Sequence, residues 1–273
     1  MFLLTLQQIS KVRNSTSYAS MRSSGQQAAD FIKVLYPTLK AANFSDVKIA
    51  CCDAEGWGTQ NQMAGQLRSS GVEDMVGLIT SHEYTGRANS VISTKAKVWQ
   101  TEYADLNGGW TTSWYSGGGA GEGLTWAQNI YTAVVNANCS GYLAWVGTQG
   151  GGTNEKLILI NGQDVTVSKR LWAFANWSRF VRPGAVRVQT SGGSLRTSAF
   201  QNVDGSVAVQ VINTGGSAAT VNIAVTGLTG TNVTAWLTDN THDLSTTPAT
   251  IAVDGTVSGS VPTRAMVSFV ITA

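Results

Sequence analysis

Short apolar runs alternate with helical stretches from about residue 25 to residue 180, and this alternation limits the fold more than any other feature of the chain. In "GQQAADFIKVLYPTLKAA" (25–42), Ala28, Ile32, Leu35 and Leu39 fall on one stripe flanked by Phe31. That spacing predicts a helix, bent where Pro37 removes a backbone donor. "VKIACCDA" (47–54) and "MVGLITSHEY" (75–84) read as strands buried on both faces, and "KVWQTE" (97–102) as a third. Helical spacing returns at 59–70, at 123–139 (Trp126, Ile130, Ala133, Val134, Ala137) and at 167–180, and "GYLAWVG" (141–147) supplies a fourth strand. Strands alternating with helices form right-handed parallel β/α units. Four such units amount to half of an eight-stranded barrel.

The pattern changes after "RPGA" (182–185). "AVRVQT", "LRTSAFQ", "SVAVQVIN", "ATVNIAV", "NVTAWLT" and "AMVSFVIT" are β-branched and alternating, and "NVDGS" (202–206) is a hairpin signal. The expected fold is therefore α/β plus β. A partial (β/α)8 TIM-type barrel occupies 1–180, with 1–15 atypical, and an antiparallel β-sandwich occupies 181–273.

Composition narrows the function. A formal charge of +2 with no basic run gives no reason to expect a nucleic-acid partner, and no apolar run reaches membrane-spanning length. Nine tryptophans suit either a core or a set of flat platforms for sugars. With only two histidines and no metal-ligand spacing, neither a metal site nor a cofactor is expected. Adjacent residues of a strand point to opposite faces, so at most one of Cys51 and Cys52 is expected to pair with Cys139. Sequons at Asn14, Asn43, Asn138, Asn176 and Asn232 lean towards secretion. "MFLLTL" is too short for a signal peptide's apolar core, and the Ser-rich, acid-free "ISKVRNSTSYASMRSS" is loosely transit-peptide-like.

Polar groups at the C-terminal ends of barrel strands face a common rim. Four strand ends carry them: Asp53, Glu55 and Trp57; His82, Glu83 and Tyr84; Glu102 and Tyr103; and Trp145. Acids, an imidazole and aromatic rings gathered in this way suit glycoside chemistry, in which a carboxylate meets the anomeric carbon and rings hold the sugar faces. Solvated loop acids beside core aromatics would give the same pattern.

"KIACCDAEGW", "WQTEYADLNGGW", "WYSGGGAGEGLTWAQNIYTAVVNANCSGYLAW" and "SKRLWAFANWSRFVRPGA" resemble the C-terminal half of glycoside hydrolase family 30, closest to its fungal endo-xylanase-type members. The resemblance covers roughly residues 16–273. It implies a secreted retaining β-glycosidase acting on plant cell-wall polysaccharide, most simply an endo-β-1,4-xylanase, with no obligate protein partner. The family nucleophile lies in a "TEY"-like motif at the end of the seventh barrel strand, which places it on Glu102. His82 and Tyr84 on the sixth strand and Trp145 on the eighth would line the subsite beside the scissile bond. Trp57 and Tyr103 would support it, and Asp105, Trp110 and Trp114 would reach more distant subsites.

The resemblance also marks a departure. A retaining glycosidase needs a second carboxylate as acid/base, about 5–5.5 Å from the nucleophile. The family carries it in an Asn-Glu-Pro motif, where this chain reads "KVRNSTSYASM" (11–21), and no Asp or Glu precedes Asp30. Glu83 could substitute only from the wrong strand face. The expectation is a truncated or inactive form. The alternatives are a non-catalytic carbohydrate-binding protein, a β-1,6-glucanase, galactanase or glucosylceramidase-like member, or a scaffold without a ligand.

Overall fold

The computed structural model describes residues 3–7, 23–228 and 230–273. The segment "KVRNSTSYASM" lies outside the described residues. Two compact units divide the chain: residues 1–104 with 132–145, and residues 105–131 with 146–273.

The first unit is built on a parallel sheet. Its strands are β1 (Leu3–Gln7), β2 (Lys48–Ala54), β3 (Leu78–His82) and β4 (Lys97–Glu102), followed by the two-residue strand Gly141–Tyr142, in that spatial order. β1 adds a parallel strand that the β/α spacing had not counted. Helix α1 (Gly25–Ala41) starts at a capping box between Ser24 and Gln27, and α2 (Trp57–Ser69) follows β2. Ile32, Ile49, Trp57, Met63, Leu67 and Ile79 form the centre of the core. The strand expected at 141–147 is only two residues long, and the helix expected at 123–139 ends at Tyr131 in α3 (Gly123–Tyr131), followed by a π turn over Thr132–Asn136.

The cysteine expectation is corrected here. Cys51 and Cys52 are disulfide-bonded to each other across a cis peptide, with Cα atoms 3.0 Å apart, whereas Cys139 is free and buried. The opposite-face argument assumes a trans peptide, and a cis one turns both side chains to the same side.

The second unit contains α3 and α4 (Lys169–Ser178) and an antiparallel sandwich. Its six-stranded sheet runs Val186–Val188, Arg196–Gln201, Val207–Asn213, Ala265–Thr272, Asn232–Thr238, Ser245–Thr247. A three-stranded sheet of Ala219–Ile223, Val257–Val261 and Ala249–Ile251 covers it. Val209, Val211, Val267, Phe269 and Ile271 meet Val257 and Val261 in the core between the sheets. The hairpin expected at 202–206 forms, with Gly205 at φ +86 and Asn202 N–H donating to the Ser206 carbonyl at 2.8 Å. Asn176 is fully buried, bonded to Trp172, Thr238 and Ser268, so its sequon cannot accept a glycan in the folded chain.

Candidate active site

Two bulges shape the C-terminal ends of the parallel strands. In the β2–β3 pairing Cys52 faces Thr80 but Ala54 faces Ser81, so Asp53 is the extra residue, and its φ is +58. In the β3–β4 pairing Ser81 faces Gln100 but His82 faces Glu102, so Thr101 is the extra residue. Bulges re-aim side chains. Here one brings His82 and Glu102 side by side, and the two bulged residues bond to each other, the Thr101 hydroxyl donating to Asp53 Oδ1 at 2.5 Å.

Helix α2 fixes the first bulge. The buried Gln60 accepts the N–H groups of Cys52 and Ala54, each at 3.2 Å, and donates to the Cys51 carbonyl at 3.3 Å. Sequence reasoning missed this residue. The available signal is a polar side chain on the buried stripe Trp57, Gln60, Ala64, Leu67.

Backbone bonds tie the strand ends together. Glu83 N–H donates to the Glu102 carbonyl (3.1 Å), Tyr84 N–H to Glu55 (3.0 Å) and Trp145 N–H to Tyr103 (3.0 Å). Within this frame the Glu102 carboxylate is four-fifths covered. Burial raises its pKa above the usual carboxylate range, opposed by the imidazole of His82 and a hydrogen bond from Tyr84; Asp53 adds a smaller upward push. His82 Nε2 lies 3.5 Å from Glu102 Oε2 and 3.6 Å from Asp53 Oδ2, and both distances are too long for hydrogen bonds as they stand.

The structure thus brings together His82, Tyr84, Glu102 and Tyr103, with the Tyr84 and Tyr103 rings 5.8 Å apart. The Tyr103 hydroxyl accepts from Arg87 at 2.6 Å, and the same guanidinium lies over its ring. Trp145 is 46% exposed to solvent. Trp57 is not brought to this group. It is 2% exposed in the core, and its indole donates to the Ser90 carbonyl. Glu83 is turned away and committed, accepting from Ala88 N–H (2.7 Å) and the Tyr142 hydroxyl (2.8 Å), while burial raises its pKa.

Asp105, Trp110 and Trp114 belong to the second unit and are occupied structurally. Asp105 accepts from Asn154 and Gly108, Trp110 is stacked by Arg170, and the fully buried Trp114 donates to the Arg264 carbonyl. Among the described residues no three or more His, Cys, Asp or Glu side chains are arranged to hold a metal ion, and no helix is long and apolar enough to cross a membrane.

A largely covered carboxylate with a raised pKa gives a pH prediction. Tyr84→Phe removes a hydrogen bond to the charged form of Glu102, so its pKa rises further. The Glu102 carboxyl carbon, followed by 13C NMR, then titrates at higher pH than in the unsubstituted chain, because one charge-assisted bond to its ionised form is lost. An unmoved titration would take Tyr84 out of contact with the carboxylate.

Comparison with known proteins follows the same lines. Residues 184–269 match the glycosyl hydrolase family 30 beta sandwich domain. The catalytic domain of a GH30 xylanase C from Talaromyces cellulolyticus superimposes with a TM-score of 0.89 at 45% identity, over 95% of this chain and 60% of that one. Xyn30A, a family 30 subfamily 8 xylanase from Clostridium acetobutylicum, shares the fold at 20% identity (TM-score 0.79, all of this chain and 66% of that one). Glucuronoxylanase XynC of Bacillus subtilis (strain 168) is 28% identical over 158 residues, which are 55% of this chain and 34% of that protein. The chain spans about a third of the length of the curated relatives it matches.

Proposed function

We propose that this chain, which resembles the family 30 glycoside hydrolases, carries the nucleophile side of a retaining β-glycosidase site directed at xylan, with Glu102 as the nucleophile. The observation that carries the reading is the placing of Glu102. It sits at the C-terminal end of a parallel strand, in register with His82 and hydrogen-bonded by Tyr84. In this reading β1 to β4 and Gly141–Tyr142 are successive strands of a (β/α)8 barrel. His82 and Tyr84 keep a largely desolvated carboxylate ionised, and Tyr103, clamped by Arg87, walls the site. The exposed Trp145 stacks on a sugar ring. The 45% identical xylanase favours xylan over β-glucans as substrate. A disulfide at Cys51–Cys52 fits an oxidising, extracellular setting.

Xylo-oligosaccharide titrations separate binding from chemistry. The expected affinity is in the millimolar range, about −4 kcal/mol. Trp145→Ala should abolish it, whereas Glu102→Gln should keep binding and lose turnover of an aryl β-xylobioside. Turnover surviving in Glu102→Gln would remove that residue from the role. Binding without turnover in the unsubstituted chain would favour a carbohydrate-binding protein.

A further inference from the structure

The contact between the two bulges has a chemical consequence. His82 Nε2 is buried, has no hydrogen-bond partner within range, and faces carboxylate oxygens of Glu102 and Asp53 at nearly equal distances. Ionised carboxylates only accept hydrogen bonds. An unprotonated Nε2 would put its lone pair against two anions in a low-dielectric setting, which is costly. Nε2 therefore carries a hydrogen.

Asp53 is the carboxylate that keeps facing Nε2 throughout a reaction cycle. When Glu102 attacks an anomeric carbon, its carboxylate becomes an ester and loses its charge, whereas Asp53 keeps its own. Asp53 is also oriented independently of any sugar. Its backbone lies in the left-handed region, its Oδ1 takes the Thr101 hydroxyl, and Gln60 holds the N–H groups of its neighbours Cys52 and Ala54.

We propose that Asp53 is a positioning residue for the Glu102 chemistry, holding His82 in the Nε2–H form so that this hydrogen faces the nucleophile. The rate consequence rests on the reading of Glu102 given above; the state of the histidine does not.

Asp53→Asn is a near-isosteric test. The Thr101 hydroxyl selects the amide oxygen at the Oδ1 position, which leaves the amide NH2 aimed at His82 Nε2. Two donors cannot face each other, so the imidazole turns to the Nδ1–H tautomer and presents a lone pair to Glu102. Removing the hydroxyl as well, in Asp53→Asn/Thr101→Val, frees the amide to rotate its oxygen towards Nε2 and restores the Nε2–H form. Damage to the fold would instead accumulate in the double variant.

The ring nitrogens are read by 15N NMR on the whole chain, which has two histidines, assigned with His242→Gln. The expected sequence is a protonated Nε2 in the unsubstituted chain, an unprotonated Nε2 in Asp53→Asn, and a protonated one again in the double variant. Turnover of an aryl β-xylobioside should fall by about 10²–10⁴-fold in the single variant and recover at least in part in the double. The upper figure is the cost of a wrong histidine tautomer in a serine protease. An unprotonated Nε2 in the unsubstituted chain overturns the proposal without any variant. So does an unchanged Nε2 signal in folded Asp53→Asn, or a double variant no better than the single. A correct tautomer sequence without activity in any form would leave Asp53 as the keeper of His82 and count against the reading of Glu102 alone.

Discussion

This chain should cleave a dinitrophenyl β-xylobioside slowly, speed up in azide, and leave xylan essentially untouched. The expectation follows from which carboxylates are at hand. Residues 1–29 contain neither Asp nor Glu. Two neighbouring acids are engaged, Asp53 by Thr101 and Glu83 by Tyr142 and Ala88. A xylan linkage leaves as an alkoxide unless it is protonated, and general acid catalysis typically supplies about 10²–10⁴-fold. Dinitrophenolate departs without a proton. Glu102 Oε can therefore form its bond to the anomeric carbon as the aryl C–O bond breaks. Water then attacks the glycosyl ester slowly for want of a base, whereas azide attacks directly, giving the glycosyl azide and regenerating the carboxylate. Release of reducing sugar from xylan at rates matching the aryl substrate would contradict this.

The second large effect concerns the sandwich. Phe269→Ala should destabilise its unfolding transition by about 3–5 kcal/mol, the range for emptying a buried aromatic site. Phe269 is fully buried, and its ring lies where a Cβ on Gly259 would be, 2.6 Å from Cε1. Gly259 lies in the middle strand of the three-stranded sheet, so the ring is what that sheet rests on, and little can move in to fill the space. Guanidinium unfolding followed by tryptophan fluorescence reads the loss. A change under about 1 kcal/mol would mean that the two sheets are held by something other than this contact.

That contact also explains what could be read in advance. Five strands of the six-stranded sheet were legible, all but Ser245–Thr247, because runs such as "VAVQVIN" and "AMVSFVIT" are apolar and β-branched whatever packs on them. Two strands of the covering sheet, Ala249–Ile251 and "VSGSV", are short and rich in Thr, Ser and Gly. In "VSGSV" it is Gly259 that lets the strand lie against Phe269, a feature of the partner that the strand's own residues do not signal. β2, β3 and β4 were legible for the same reason as those five strands, unlike β1, and so was the placing of Glu102, His82 and Tyr84 at strand ends.

The finer geometry was not legible. A one-residue bulge leaves no mark in a hydrophobic pattern, yet the bulge at Thr101 is what sets Glu102 beside His82. Trp57 was expected to support the subsite that Trp145 lines, and only packing removes it: its indole donates to Ser90 inside the core, while Trp145 is nearly half exposed. The Cys51–Cys52 disulfide escaped notice because strand alternation presumes trans peptides throughout.

The central claim, that Glu102 is the nucleophile, is tested most directly by trapping. A 2,4-dinitrophenyl 2-deoxy-2-fluoro-β-xylobioside slows release of the glycosyl ester, so intact-mass and peptide mass spectrometry can find where the sugar is attached. The account predicts one fluoro-xylobiosyl group per chain, on the peptide containing Glu102, and none in Glu102→Gln. A label on any other residue, or an equal label in Glu102→Gln, would contradict it.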